Sequence, residues 1–251
     1  MQTQPNTIAD LAVAMPRAIA TLDKLGIDYC CNGGQSIAEA CNGAGITPEE
    51  LLALIPSAET PSDVDWTAEP MSALIQFIVR THHEYTRATL ATLQRLATKV
   101  REHHGPNHSE LSEVERLVFQ LANDLLPHML KEEQVLFPYI VNVEEAAMLG
   151  NEPPMPFFGT ARNPIRAMMM EHEAAGEILV QLRALTANYT LPPEACTSFK
   201  ALYANLQEIE TDLHRHIHLE NNILFPSAIK TEEATRTSEV PAFADNCCGH
   251  H

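Results

Sequence analysis

Aromatic residues are scarce in this 251-residue chain, at 6 %, and there is one tryptophan, Trp66. Sheets rely on aromatic and β-branched side chains, so this shortage, beside frequent Ala, Leu, Glu and Met, favours helices. Positive charge is also sparse: 16 Lys and Arg face 33 Asp and Glu, a formal net charge of −17. That balance argues against a nucleic-acid groove or an anionic membrane surface, since both need clustered cations. No run approaches the ~18 uninterrupted apolar residues of a membrane-spanning helix. The opening MQTQPNTIAD has neither the basic nor the apolar region of a secretory leader. The six cysteines include two vicinal pairs, Cys30–Cys31 and Cys247–Cys248, which is not a spaced disulfide framework. A reducing, cytoplasmic compartment is the expectation. Hydrophobic residues make up 45 % of the chain, enough for a sizeable core.

The periodicity predicts an all-α protein in two parts. Ile8, Leu11, Ala12, Met15, Ile19, Leu22 and Leu25 recur at helical spacing, predicting a helix over 7–25 that Gly26 ends. A turn, IDYCCNGGQ, and a short helix from Ser36 to Cys41 follow. Thr47-Pro48-Glu49-Glu50 then reads as a helix start, with Thr47 as N-cap, Pro48 at N1 and Glu50 at N3. Residues 1–56 thus form a small helical domain whose size points to support from the rest of the chain or from a second copy in a homodimer. Pro56 to Pro70, with Pro61 and Trp66, reads as a linker. Four helical tracts follow, near 71–104, 110–142, 161–188 and 193–230, with short breaks, as in an antiparallel four-helix bundle over 71–232. Residues 233–251 read as a loose tail.

One pattern occurs twice. The first half holds His82, then His128 and Glu132 in HMLKEEQVLFP; the second holds His172, then His216 and Glu220 in HIHLENNILFP. The two segments share His, Glu, Leu, Phe and Pro in register, and the intervals of 46 and 44 residues nearly repeat. An i, i+4 His/Glu pair projects from one helix face. Four imidazoles and two carboxylates at a bundle centre suit two non-haem irons, with Mn the close competitor. The pattern puts two His on each metal, with Glu132 and Glu220 bridging. Asp124 and Glu171 are candidates to hydrogen-bond the ligands' outer nitrogens. His83, His214 and His218 read as surface or supporting residues, and Met129 and Met168–Met170 as core packing. His103, His104 and His108 suit a helix C-terminus, while Cys41 and Cys196 read as structural. Cys247, Cys248, His250 and His251 make a tract of metal-ligand type.

These motifs resemble the hemerythrin-like cation-binding domain. With LGIDYCCNGGQSIAEA and PPEACTSFKALY, residues 5–230 resemble the repair-of-iron-centres proteins, nitric-oxide-induced di-iron proteins of bacteria. The resemblance implies a hemerythrin-like bundle behind a small Cys-Cys domain. It implies two irons, oxo- or hydroxo- and carboxylate-bridged, on His82, His128, Glu132, His172, His216 and Glu220. It implies repair of iron–sulfur clusters damaged by nitric oxide or oxidants, with damaged iron–sulfur proteins or a cluster-assembly scaffold as partners. Cys30 and Cys31, read as thiolates exposed in a glycine-rich loop, would serve redox or transfer steps. Two other readings stand beside it: reduction of nitric oxide to nitrous oxide at the di-iron site, and binding or sensing of oxygen or nitric oxide. The Pro-rich insert around 145–158 and the CCGHH end have no counterpart in the family pattern.

Overall fold

The computed structural model describes residues 5–56 and 64–237. Part of the linker, including Pro61, and the tract holding Cys247, Cys248, His250 and His251 lie outside the described residues. Every regular element described is helical, and none of these helices is long and apolar enough to cross a membrane.

The small domain contains α1 (Ile8–Ala14), α2 (Ile19–Leu25), α3 (Ile37–Gly43) and α4 (Pro48–Leu54). The single helix expected over 7–25 is divided. Met15 precedes a proline, and the ring of Pro16 disfavours helical backbone there. Met15 accordingly turns out at φ −139°, ψ 78°, and a 3-10 turn, Pro16–Ala18, restarts the chain. Three helices begin with reciprocal side-chain/backbone caps: Thr7 with Asp10, Ser36 with Glu39, and Thr47 with Glu50. Each cap satisfies N–H groups that a helix start leaves unpaired. Gly26 ends α2 in the left-handed region at φ 67°. Gly33 is required by close approach: a Cβ there would fall 2.5 Å from the Tyr29 carbonyl oxygen. Ile8, Leu11, Leu22, Tyr29 and Leu51 fill this domain's core.

The second domain is the antiparallel bundle. Its first helix runs through α5 (Met71–Phe77) and α6 (Glu84–His104), joined by a π turn, Ile78–His83. The second joins α7 (Leu111–Lys131) to α8 (Phe137–Leu149) through a π turn, Glu132–Leu136. The third is α9 (Arg162–Leu185). The fourth joins α10 (Thr197–His218) to α11 (Phe225–Thr237) through a π turn, Leu219–Leu224. It therefore continues past residue 232, where a loose tail was expected. Met168 is buried, but Met169 and Met170 face outward rather than into the core.

Two apolar clusters fill the bundle, one around Leu90, Leu121, Leu179 and Leu206, the other around Ile78, Ile140, Ile165 and Leu224. Along every helix the expected ligands fall between the two. A polar band so enclosed has no water to satisfy it, and leaving such groups unpaired costs several kcal/mol, on the order of 1–3 per group. The apolar layers on both sides hold the band in place.

Candidate metal centre

Six side chains converge in that band: His83, His128, Glu132, His172, His216 and Glu220, all at most 1 % exposed. They form two sets. His83, Glu132, His216 and Glu220 make one; His128, Glu132, His172 and Glu220 make the other. Both carboxylates belong to both sets.

His82 is not among the six; His83 takes the expected place. The burial sequence of the first helix explains why. Ile78, His82 and His83 are all buried, and the five-residue step from Ile78 to His83, the histidine that joins the six, falls in the π turn. A π turn accommodates an extra residue, so an unbroken 3.6-residue period points at the wrong histidine. His82 is buried beside the site. Its Nδ1 lies 2.9 Å from Asp212 Oδ1, and its ring stacks on that of His216 at 5.7 Å. It also lines a cavity of about 470 Å³ between the domains, together with Ile19, Trp66, Phe77 and Asp212. The 45-residue interval from His83 to His128 is nearer the 44 of the second half, and this was the signal in the sequence.

The outer ring nitrogens define the tautomers. His128 Nδ1 donates to Glu171 at 2.8 Å, His83 Nδ1 to Glu133 at 2.7 Å, and His172 Nδ1 to the Asn221 side-chain Oδ1 at 2.9 Å. Arg87 pairs with Glu133 at 2.6 Å, and Lys131 pairs with Glu171. Glu171 is where it was expected, whereas Asp124 is exposed and approaches no ligand. Glu133 and Asn221 each directly follow a central glutamate. Their matching positions in the two duplicated segments could have revealed them.

With a proton on Nδ1, the inner nitrogen presents a lone pair. The Nε2 atoms of His128 and His172 nevertheless face each other at 2.9 Å. Both oxygens of Glu132 and Oε2 of Glu220 are buried without a hydrogen-bond partner, although imidazole nitrogens lie 3.1–3.5 Å away. Lone pairs and carboxylates converging in a dry core demand positive charge. Burial opposes charging His128, yet the Glu132 and Glu220 carboxylates and the Glu171 hydrogen bond outweigh it and push the ring up to about 9. Glu220 is likewise held well below the usual carboxylate range, burial being outweighed by His216, His172 and His83. The donor set, imidazole with carboxylate and no thiolate, fits non-haem iron or manganese.

The small domain docks on this band. Asn222 Nδ2 donates to the Tyr29 carbonyl at 3.0 Å, Arg215 pairs with Asp23 at 3.1 Å, and Tyr29 meets His218 edge-on. The Cys31 thiol donates to the His172 carbonyl at 3.6 Å. The vicinal thiols are not the exposed thiolates expected: Cys30 is buried and Cys31 half-buried. The hydrogen bond to Cys31, burial and the Asp28 carboxylate push the Cys30 thiol up. Asp28 orders the loop, accepting from the Cys30 and Cys31 backbone N–H groups at 2.9 and 3.0 Å. At the far end of the bundle, Cys196 is exposed and lies 3.2 Å from His104 Nε2.

Known proteins resemble the chain along most of its length. Residues 74–228 match the hemerythrin HHE cation binding domain, and residues 4–59 match a domain of unknown function, DUF542. The chain belongs to the hemerythrin HHE family. Iron-sulfur cluster repair proteins YtfE of Escherichia coli O17:K52:H18, Citrobacter koseri and Shigella boydii serotype 4 are each 36 % identical over 233 residues. Those alignments span 92 % of this chain and 100 % of each relative. Within the HHE family the chain groups with these repair proteins, and non-haem iron binding is the property that its hemerythrin-like domain implies.

Proposed function

We propose that the chain holds two non-haem irons per molecule and supplies iron to iron–sulfur clusters damaged by nitrosative or oxidative stress. The observation that carries this reading is the pair of four-residue sets sharing Glu132 and Glu220. His83 and His216 would hold one ion, His128 and His172 the other, and the two carboxylates would bridge them. Bound there, the irons supply redox-active, Lewis-acidic centres. The chain's own residues fix the ligands: Glu133, Glu171 and Asn221 hold three rings by their outer nitrogens, and the flanking apolar layers exclude water. Imidazole and carboxylate ligands release iron more readily than a thiolate cage, which suits a donor. Cys30 and Cys31, beside the His172 carbonyl, are the groups proposed to take part in transfer. Damaged iron–sulfur proteins in the cytoplasm are the proposed recipients, and a homodimer is the proposed assembly.

The test is to load the full chain with iron, measure iron per chain and its Mössbauer spectrum, and incubate it with a nitrosylated iron–sulfur protein. About two irons per chain, with recipient activity recovering as the donor loses iron, support the proposal. Sustained consumption of nitric oxide by catalytic amounts of chain, without loss of iron, would replace it with nitric oxide reduction.

A further inference from the structure

The duplication gives each residue around the centre a counterpart in the other half. His83 corresponds to His172, His128 to His216, Glu132 to Glu220, and Glu133 to Asn221. Glu171, just before His172, therefore corresponds to His82, just before His83. Asp212, four residues before His216, corresponds to Asp124.

Glu133 and Asn221 differ in charge but both accept from their histidine; a sharper difference lies at Glu171 and His82. Glu171 accepts the Nδ1–H of His128 at 2.8 Å. At the equivalent position His82 gives His216 nothing comparable. Its ring lies over the face of His216, 10° from parallel, whereas an Nδ1–H needs an acceptor in the ring plane. His82 Nδ1 turns instead to Asp212. His216 Nδ1 is buried without a hydrogen-bond partner, alone among the outer ring nitrogens of the four converging histidines. A ring so placed is a poorer donor and is less firmly oriented. Moreover, His82 and Asp212 line the interdomain cavity, so open space lies behind His82 in this half of the centre.

We infer that the two metal positions are inequivalent, and that the ion held by His83 and His216 is the labile one, because His82 stands where the other half has a carboxylate. The inference rests on the two-iron reading and specifies which iron is donated. His82 acts as a positioning residue, through His216. In His82→Gln, the amide oxygen can accept from His216 Nδ1 while the amide N–H groups face Asp212.

The experiment is iron removal from the loaded full chain by excess ferrozine under reducing conditions, followed by absorbance, with Mössbauer spectra before and after the first phase. The expected result is two phases of equal amplitude separated by at least about tenfold in rate. The first should abolish one quadrupole doublet. H82Q should slow the fast phase by roughly ten- to a hundredfold and leave the slow phase unchanged. Two irons leaving in a single phase, or a fast phase that H82Q does not slow, overturns the inference and leaves the two-iron reading intact. About one iron per chain, retained in His216→Ala and lost in His128→Ala, sinks the two-iron reading but upholds the inequivalence. One iron retained in His128→Ala and lost in His216→Ala overturns both.

Discussion

The inner nitrogens of His128 and His172 lie 2.9 Å apart, and each ring has already given its outer N–H to another residue. Two lone pairs at that distance repel unless a cation or a proton lies between them. Metal removal should therefore lower thermal stability by more than the loss of an exposed ligand site does, because the metal-free centre must bury a proton on His128 in the cation's place. Calorimetry of iron-loaded and chelated protein checks this. Equal Tm values would mean that the centre is satisfied without metal.

His83→Ala should reduce bound iron to roughly half or less, since it removes a proposed ligand, while His82→Ala should retain most of it. Iron per chain, measured on both purified variants, separates the neighbours. Loss in His82→Ala alone would restore the assignment that the unbroken helical period favours.

Glu133→Gln keeps an acceptor for His83 but removes the charge that Arg87 and His83 share. Iron affinity should fall by about ten- to a hundredfold, with helix content unchanged. Competition against a chelator of known affinity measures it.

The Asp28 carboxyl is held below its ordinary 3.8: burial opposes this, but N–H donation from Cys30 and Cys31 and the Cys30 thiol prevail. A carboxyl lowered on folding contributes stability that is present above pH 3.8 and is lost as pH falls through the folded value. Asp28→Asn should cost about 1–3 kcal/mol near neutrality. The gap from the parent should narrow below pH 3.8, as read by urea unfolding followed by circular dichroism. A gap independent of pH would show that the charge is not what orders the loop.

The duplicated His/Glu segments carry their chemistry openly in the sequence. An i, i+4 pair needs only an intact helix, so His128 with Glu132 and His216 with Glu220 are legible from spacing, and their meeting follows from the bundle. His83 is not legible in this way, because a π turn is a tertiary compromise between two buried layers and leaves little trace in the periodicity. Glu171 was accessible as the neighbour of a ligand, but Asp124 was not excluded by spacing; its helix rotates it outward, whereas its counterpart Asp212 meets His82. The three capping boxes were variably visible. Thr47 with Glu50 is announced by Pro48 at N1, a signal that the start of α1 at Thr7 and Asp10 lacks. The contact of Cys31 with α9 depends on how the small domain seats itself there, and no local pattern specifies that.

Gly176 lies on α9, one turn beyond His172. A Cβ there would lie 3.3 Å from Cys31 Sγ, so a single absent methyl sets how closely the sulfur approaches the helix that carries His172. Gly176→Val would act as a shim between the two domains: it would hold the thiol off α9 without touching a ligand, and so uncouple the cysteine loop from the iron-binding band by geometry alone.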